Sequence, residues 1–270
     1  MNMNRPEVIP AQRRSLLLEY LLQRGAASIQ ELADAMGASP STVRRDLEQL
    51  EDEGHLRRTH GGAVVSSANH STFEPDAAIA AQASRAEKLA IGAAAAGLLS
   101  TGDSVVFDSG STVLAAARAA VERRVTLTAV TNDLGIGQVL AASDKVRVVV
   151  PGGTVRRGSL TLVGEPAQSF MRDIHADVAF VGTQSITGGL LSDTSVEIAS
   201  IKRAMIAAAR RVVLLADSSK FQPAAFYKIC DVTAVHEIIT DRAAPAKQLD
   251  QIRELGVKVT LVDIAPGGPE

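Results

Sequence analysis

One short segment of this sequence combines a carboxylate, a glycine and three hydroxyl side chains, the residue types that could bind a ligand. It comprises Asp108, Ser109, Gly110, Ser111 and Thr112. The run follows the strand-like segment Ser104–Phe107 and precedes the helical segment Val113–Ala120, which predicts that its backbone N–H groups lie at a helix N-terminus. Such groups favour an anion, and small side chains let a phosphate approach the backbone. The segment therefore predicts a phosphate site, with an ordinary capped helix start as the open alternative.

Other polar and flexible residues follow the ends of further predicted strands. These residues are Asn132, Gly152, Gly153 and Lys220. Parallel strands gather ligand groups at their carboxyl ends, so we expect one effector pocket there, with Lys220 pairing with a phosphate or a sugar oxygen. The glycine spacing matches neither a P-loop nor a dinucleotide fingerprint, so neither ATP nor NAD is indicated and no cofactor is expected.

Two weaker candidates for the pocket are Glu197 and Lys202, near the start of a helix predicted after Gly188 and Gly189. A pair at positions i and i+5 on a polar helix face is usually only solvated. The histidines show no metal-ligand spacing, so no metal site is predicted.

The N-terminal segment predicts two helices separated by a tight turn. Ser28 and Glu31 have the spacing of a capping box for a helix from about Ile29 to Met36, and Gly37 suits the left-handed turn that ends it. A second helix begins at Pro40 and buries one face, which carries Val43, Leu47 and Leu50.

The polar part of that second helix suits the major groove of DNA. The predicted contacts are Ser39, which also caps the helix, Ser41, Thr42, Arg44 and Arg45. Arginine binds guanine or phosphate, and hydroxyl groups bind base edges or the backbone. A helix that follows a tight turn and presents these types at its N-terminal end indicates a helix-turn-helix.

Two short strands around a glycine turn are predicted next, from His55–Arg58 and Ala63–Val65. This wing would carry Arg57 and Arg58 to the phosphate backbone of DNA, and His60 is a further predicted DNA contact. Arginines beside acidic residues more often form a solvated face, and this alternative stays open for any single pair. Several signals in one short segment favour the DNA interface.

The remaining sequence predicts a parallel sheet flanked by helices, because strand-like and helix-like runs alternate from Lys88 onwards. The predicted strands are Ser104–Phe107, Thr126–Thr131, Val146–Val150, Val178–Gly182, Val212–Ala216, Glu237–Thr240 and Lys258–Val262. The expected fold class is α/β, with an N-terminal winged helix-turn-helix domain (1–65), a linker (66–84) and a larger Rossmann-like effector domain (85–270).

Composition sets limits on the function. The chain has 270 residues, a net charge of −2 and one cysteine, Cys230, which cannot form an internal disulfide. Residues 1–66 contain 8 arginines and 9 acidic residues, so no domain is globally basic and a non-specific DNA coat is disfavoured. The segment from Met1 to Arg14 lacks the apolar core of a signal peptide, and no stretch is long enough to cross a membrane, so we expect a cytoplasmic protein.

The segments together resemble the DeoR family of repressors. The pattern is Ser41-Thr-Val-Arg-Arg-Asp-Leu47, Leu50, Gly54, Leu56-Arg57-Arg58, His60-Gly-Gly-Ala63, Asp108-Ser-Gly-Ser-Thr112, Thr131-Asn132, Pro151-Gly-Gly-Thr154 and Ala216-Asp-Ser-Ser-Lys-Phe221. It covers nearly the whole chain. The resemblance implies a winged helix-turn-helix and an effector domain related to ribose-5-phosphate isomerase, in which a sugar phosphate or similar metabolite relieves binding to a double-stranded DNA operator.

That relation raises an enzyme alternative, with Glu197 as general base and Lys220 stabilising an enediolate. Where the isomerase has an acidic Asp-Gly-Ala-Asp run, the apparent match here is Gly182-Thr183-Gln184-Ser185, which has no carboxylate. We therefore expect binding without turnover, and not an enzyme. A plain protein-interaction module explains neither the arginine-bearing helix nor the polar strand ends. A dimer or higher oligomer is expected, because DNA half-sites are normally paired by symmetry.

Overall fold

The computed structural model describes residues 10–24, 26–52, 56–59, 61–64, 80 and 83–264. The chain divides into two compact units, residues 1–83 and 84–270. The predicted linker 66–84 lies outside the described residues except for positions 80, 83 and 84, so the domain boundaries stay a prediction. No helix in the described part of the chain is long and apolar enough to cross a membrane.

Among its described residues from Pro10 to Val64, the first unit contains three helices and a small sheet. Its elements are α1 (Pro10–Arg24), β1 (Ala26–Ser28), α2 (Ile29–Met36), α3 (Pro40–Asp52), β2 (Arg57–Thr59) and β3 (Gly62–Val64). Strand β3 pairs antiparallel with both β1 and β2, in the order β1-β3-β2. The prediction of the wing did not include β1. Gly25, Gly54, His55, His60 and Val65 lie outside the described residues.

The predicted helix boundaries are confirmed by their caps. Ser28 Oγ accepts a hydrogen bond from the Glu31 N–H (3.2 Å), and the Glu31 carboxylate accepts one from the Ser28 N–H (2.7 Å). Gly37 ends α2 in the left-handed region, with φ of +61°. The helices enclose a core that includes Leu17, Leu18 and Leu21 of α1, Leu32 of α2, and Val43, Leu47 and Leu50 of α3.

The second unit is the larger of the two. Its helices are α4 (Arg85–Gly97), α5 (Ser111–Glu122), α6 (Leu134–Ala141), α7 (Glu165–Arg172), α8 (Val196–Ala208) and α9 (Ala246–Glu254). Its strands are β4 (Ser104–Phe107), β5 (Leu127–Thr131), β6 (Val146–Val149), β7 (Thr154–Val155), β8 (Leu162–Val163), β9 (Ala176–Val181), β10 (Ser185–Thr187), β11 (Leu190–Asp193), β12 (Ala209–Leu215), β13 (Tyr227–Asp231), β14 (Glu237–Asp241) and β15 (Lys258–Val262).

Seven of these strands form one parallel sheet, in the order β15-β14-β12-β9-β4-β5-β6. Side chains alternate between its faces: Val105 and Phe107 enter one core, beside α4, α5 and α6, whereas Val106 enters the other, beside α7, α8 and α9. This arrangement confirms the predicted α/β fold, and each predicted strand overlaps one of the seven. The sheet order also makes the carboxyl ends of β9, β4 and β5 neighbours.

Two smaller antiparallel sheets were not predicted. One has the order β10-β11-β13, and the other is the hairpin β7-β8. The hairpin is joined to the end of β5 by a bridge between Asp133 and Thr161 and by the Leu162 N–H, which donates to the Asn132 carbonyl (2.6 Å). The β7-β8 hairpin therefore lies against the edge at which the pocket was predicted.

Candidate DNA interface and effector pocket

The N-terminal end of α3 presents the predicted DNA contacts. Ser41, Arg44 and Arg45 are exposed, and Thr42 is half-buried. Ser39 Oγ accepts a hydrogen bond from the Thr42 N–H (3.2 Å) and lies 2.9 Å from the Ser41 Oγ. Ser39 therefore caps the helix as predicted, and two arginine side chains remain available on its surface.

The wing arginines differ in what the structure shows. Arg58 Nε donates to Glu51 Oε2 (2.7 Å), the Arg58 N–H donates to Glu51 Oε1 (2.8 Å), and Glu48 lies 3.8 Å from the Arg58 guanidinium. These bonds hold β2 against the end of α3. Arg57 belongs to β2, but its side chain is not among those described.

Asp46 is a buried charged residue that the sequence analysis did not single out. It lies on the buried face of α3, and its carboxylate accepts hydrogen bonds from Arg13 of α1 at 2.6 and 3.3 Å. The signal was present, because Asp46 lies three residues after Val43 and so falls on the apolar face of the helix. A carboxylate at such a position requires a partner.

Asp108 is the central side chain at the carboxyl edge of the large sheet. It is wholly buried, and its Oδ1 accepts a hydrogen bond from the Ser109 N–H (2.8 Å). Its Oδ2 accepts one from the Gly182 N–H (2.9 Å) and one from Lys202 Nζ. Asp108 thus joins the ends of β4 and β9 to α8.

Lys202 is not part of a solvated polar face, so that interpretation was wrong. Its side chain is 5% exposed, and its Nζ also donates to the Gly182 carbonyl (3.0 Å) and lies 3.8 Å from Asp193 Oδ2. Glu197, five residues earlier, is exposed. The spacing i, i+5 places the two side chains in different environments, and the charge of Lys202 is already balanced by Asp108 and Asp193.

The N-terminus of α5 begins at a glycine with open space around it. Gly110 is the N-cap residue, has φ of +115° and offers no side chain to cap the first turn, and an added Cβ at this position would have no neighbour within 4 Å. Ser111 is half-buried, and Thr112 is 8% exposed. The positive end of the helix dipole therefore faces a space that an anion could enter.

Lys220 lies in the loop after β12, on a short 3₁₀ turn that begins at Ser218. Its Nζ donates to Gln184 Oε1 (3.4 Å), and no described carboxylate lies within 4.0 Å of its ammonium group. Gln184 follows β9 closely in sequence, so this contact connects the loop after β12 with the end of β9. Lys220 therefore differs from Lys202, which has two carboxylates within this distance.

Two polar residues follow the end of β5, and neither side chain is exposed. Asn132 is fully buried, its Nδ2 donates to the Leu162 carbonyl (3.1 Å), and its Oδ1 has no partner among the described residues. Burial raises the pKa of Asp133, and the nearby charge of Asp108 adds to this effect, although the Ile136 and Gly135 N–H groups oppose it. Asp133 also caps α6 through the Ile136 N–H (3.0 Å).

Gly152 and Gly153 are both exposed, next to the β7-β8 hairpin. Gly153 has φ of +152°, and an added Cβ would lie 2.7 Å from the Val163 carbonyl oxygen. The hairpin therefore requires glycine at this position, a structural reason that is separate from the predicted ligand contact.

The structure brings Gly182, Gln184 and Asp193 into contact with residues that were predicted for the pocket. All three lie after β9 or at the end of β11, where strand β11 itself was not predicted. In the described part of the chain, no group of three or more His, Cys, Asp or Glu side chains could hold a metal ion.

Comparison with known proteins identifies both units. Residues 13–69 match the DeoR-like helix-turn-helix domain, and residues 83–242 match the DeoR C terminal sensor domain. This chain belongs to the DeoR family. As a DeoR family member, it is a transcriptional regulator that binds DNA through its helix-turn-helix and carries a sensor domain for a small molecule.

Similar proteins agree with this assignment over almost the whole chain. The transcriptional repressor CsqR of Escherichia coli K12 is 31% identical over 96% of this chain and 98% of its own length. The transcriptional repressor AccR of Agrobacterium fabrum is 34% identical over 85% of this chain and 88% of its own length.

Ribose 5-phosphate isomerase A of Methanocaldococcus jannaschii aligns over 50% of this chain and 53% of its own, with 16% identity and a TM-score of 0.38, which says nothing about activity.

Proposed function

We propose that this DeoR family member is a sequence-specific repressor whose affinity for its DNA operator is lowered by a phosphorylated sugar or a related metabolite. The observation that carries the effector half of the proposal is the N-terminus of α5, where Gly110 leaves open space close to the buried Asp108 at the carboxyl edge of the sheet. We assign the DNA half to α3 and the wing.

The proposed DNA contacts are those of the α3 N-terminus and the wing: Ser39, Ser41, Thr42, Arg44, Arg45, Arg57, Arg58 and His60. Arg44 and Arg45 are exposed on the helix that would enter the major groove. His60 lies outside the described residues.

The proposed effector site combines the α5 N-terminus with Lys220. Helix N–H groups and one uncompensated ammonium group together favour a phosphate dianion over a neutral sugar. The charge of Lys202 is balanced by carboxylates, so this side chain supports the site indirectly. It holds Asp108 and Gly182 in place through its hydrogen bonds. Asn132, Gly152 and Gly153 would border the part of the ligand beyond the phosphate.

A dimer or higher oligomer is part of the proposal, since paired half-sites strengthen binding and effector binding must favour one arrangement of the DNA-binding domains over another. The proposed domains are residues 1–65 and 85–270, joined by the linker 66–84.

The DNA half is tested by fluorescence anisotropy with DNA from upstream of the protein's own gene, over a range of salt concentrations. The Arg44→Ala/Arg45→Ala double variant should bind more weakly, and the slope of log K against log salt should fall by about 2 if both arginines neutralise phosphates. The matched control is Arg118→Ala, which removes an exposed arginine from the sensor unit. Equal affinity and slope in the folded double variant would remove both arginines from the interface.

The effector half is tested by adding a panel of sugar phosphates to the protein–DNA complex. One phosphate should release the DNA, and Lys220→Ala should lose this response, whereas the exposed-lysine control Lys247→Ala should keep it. Induction that survives in Lys220→Ala would contradict the pocket assignment. Turnover of a sugar phosphate, measured on the same samples, would support the enzyme alternative instead.

A further inference from the structure

The two lysines of the proposed effector pocket stand in opposite electrostatic environments. Lys202 is 5% exposed and has Asp108 and Asp193 as carboxylate partners. Lys220 is half-buried, and its only described partner is the amide oxygen of Gln184. The pocket therefore contains one balanced and one unbalanced ammonium group.

The uncharged partner explains the difference. An amide oxygen accepts a hydrogen bond from an ammonium group without cancelling its charge, whereas a carboxylate at the same place would form an ion pair. In the described part of the chain, Gln184 Nε2 donates to no protein atom, so this N–H₂ group is also available to a ligand oxygen.

Gln184 is held in a fixed position relative to Lys220. Its N–H donates to the Ser192 carbonyl (3.2 Å), and its own carbonyl accepts a hydrogen bond from Gln222 Nε2 (2.8 Å). The Gln222 N–H in turn donates to the Lys220 carbonyl (3.0 Å). The contact between the two side chains is thus supported by the backbone on both sides.

We propose that Gln184 is a specificity-determining residue of the effector pocket: it orients the Lys220 ammonium group while leaving its charge available, which selects an anionic ligand over a neutral sugar. This inference rests on the proposed function, because it assumes that the effector binds at Lys220. It assigns to Gln184 a role that neither the fold nor the family membership provides.

The test is isothermal titration of the full-length protein with inorganic phosphate and with the sugar phosphate that releases DNA. Gln184→Glu should weaken binding of both anions by about tenfold, because a carboxylate pairs with Lys220 and repels the ligand. Gln184→Ala removes only a hydrogen bond and should cost about threefold. The matched control Gln251→Glu adds the same charge to the exposed face of α9 and should bind like the wild type.

The outcomes separate this inference from the proposed function. Wild-type affinity in folded Gln184→Glu, or an equal loss in Gln184→Ala and Gln184→Glu, would overturn the charge role of Gln184 while the phosphate site stands. Absence of any anion binding by the wild type, with no sugar phosphate affecting DNA, would overturn both. If Gln184→Glu does not fold, Gln184→Asp places the charge on a shorter side chain and is titrated in its place.

Discussion

Arg13 of α1 and Asp46 of α3 form an ion pair with 2.6 Å between Nε and Oδ2, on the inner side of the helix that carries the proposed DNA contacts. The two side chains are 14% and 6% exposed. Because the proposed DNA contacts Arg44 and Arg45 lie on α3, a charged contact on the inner face of this helix connects the stability of the first unit with the proposed recognition surface.

Asp46→Asn should destabilise the first unit by about 2 kcal/mol, because Arg13 loses its carboxylate partner in a mostly buried position. Hydrogen exchange of α1 and α3 peptides in the full chain measures this change locally. The control Asp52→Asn removes an exposed carboxylate at the end of the same helix and should not accelerate exchange. Equal protection in Asp46→Asn and wild type would show that the ion pair contributes no net stability.

Glu51→Gln should loosen the wing where β2 meets α3. The backbone N–H and then the side chain of Arg58 lower the pKa of Glu51, so the carboxylate form stabilises the contact above its unfolded-state pKa. This stabilisation is lost as the pH falls through the folded-state pKa. We expect faster amide exchange at Arg58 in the variant and, in wild type, on acidification, after correction for intrinsic exchange. Exposed Glu254→Gln on α9 is the control, and unchanged protection of Arg58 in Glu51→Gln would contradict the role of this bond.

Lys202→Met should destabilise the sensor unit by about 3 to 5 kcal/mol, because Asp108 and Asp193 would remain buried without their shared cation. Urea unfolding of the full chain measures the change. The control Lys247→Met removes an exposed lysine of α9 and should shift the midpoint little. If the two variants unfold alike, Lys202 is not the counter-ion that the geometry indicates.

Glu237→Gln should reduce the acid sensitivity of the sensor unit. Burial alone would raise the pKa of Glu237, but hydrogen bonds from Thr260, Lys258 and Arg211 outweigh it and lower the pKa. A carboxyl with a lowered folded-state pKa stabilises the fold above its unfolded-state pKa, and this stabilisation disappears as pH falls. The unfolding free energy of wild type should therefore decline more steeply than that of the variant below about pH 5. Parallel pH profiles would exclude Glu237 as a source of acid lability.

Much of the fold was predictable from local pattern. The capping box of Ser28 and Glu31, the left-handed Gly37 and the strand Ser104–Phe107 lie where the sequence placed them, because caps, turns and apolar runs depend on residues a few positions apart. Strands β1 and β10 have only 3 residues each, which is too short for a periodic signal. These strands form because the tertiary fold places a partner strand next to each of them.

The sequence by itself determined the order of the elements, the faces that each buries, and the residue types gathered at the carboxyl ends of the strands. Only the tertiary structure decided which charges are paired. Lys202 meets Asp108 across 94 positions of the chain, while Lys220 meets the amide of Gln184. Spacing along a helix carries no information about such contacts, since they depend on how the parallel sheet brings distant strand ends together. Which charges form ion pairs is therefore a property of the fold.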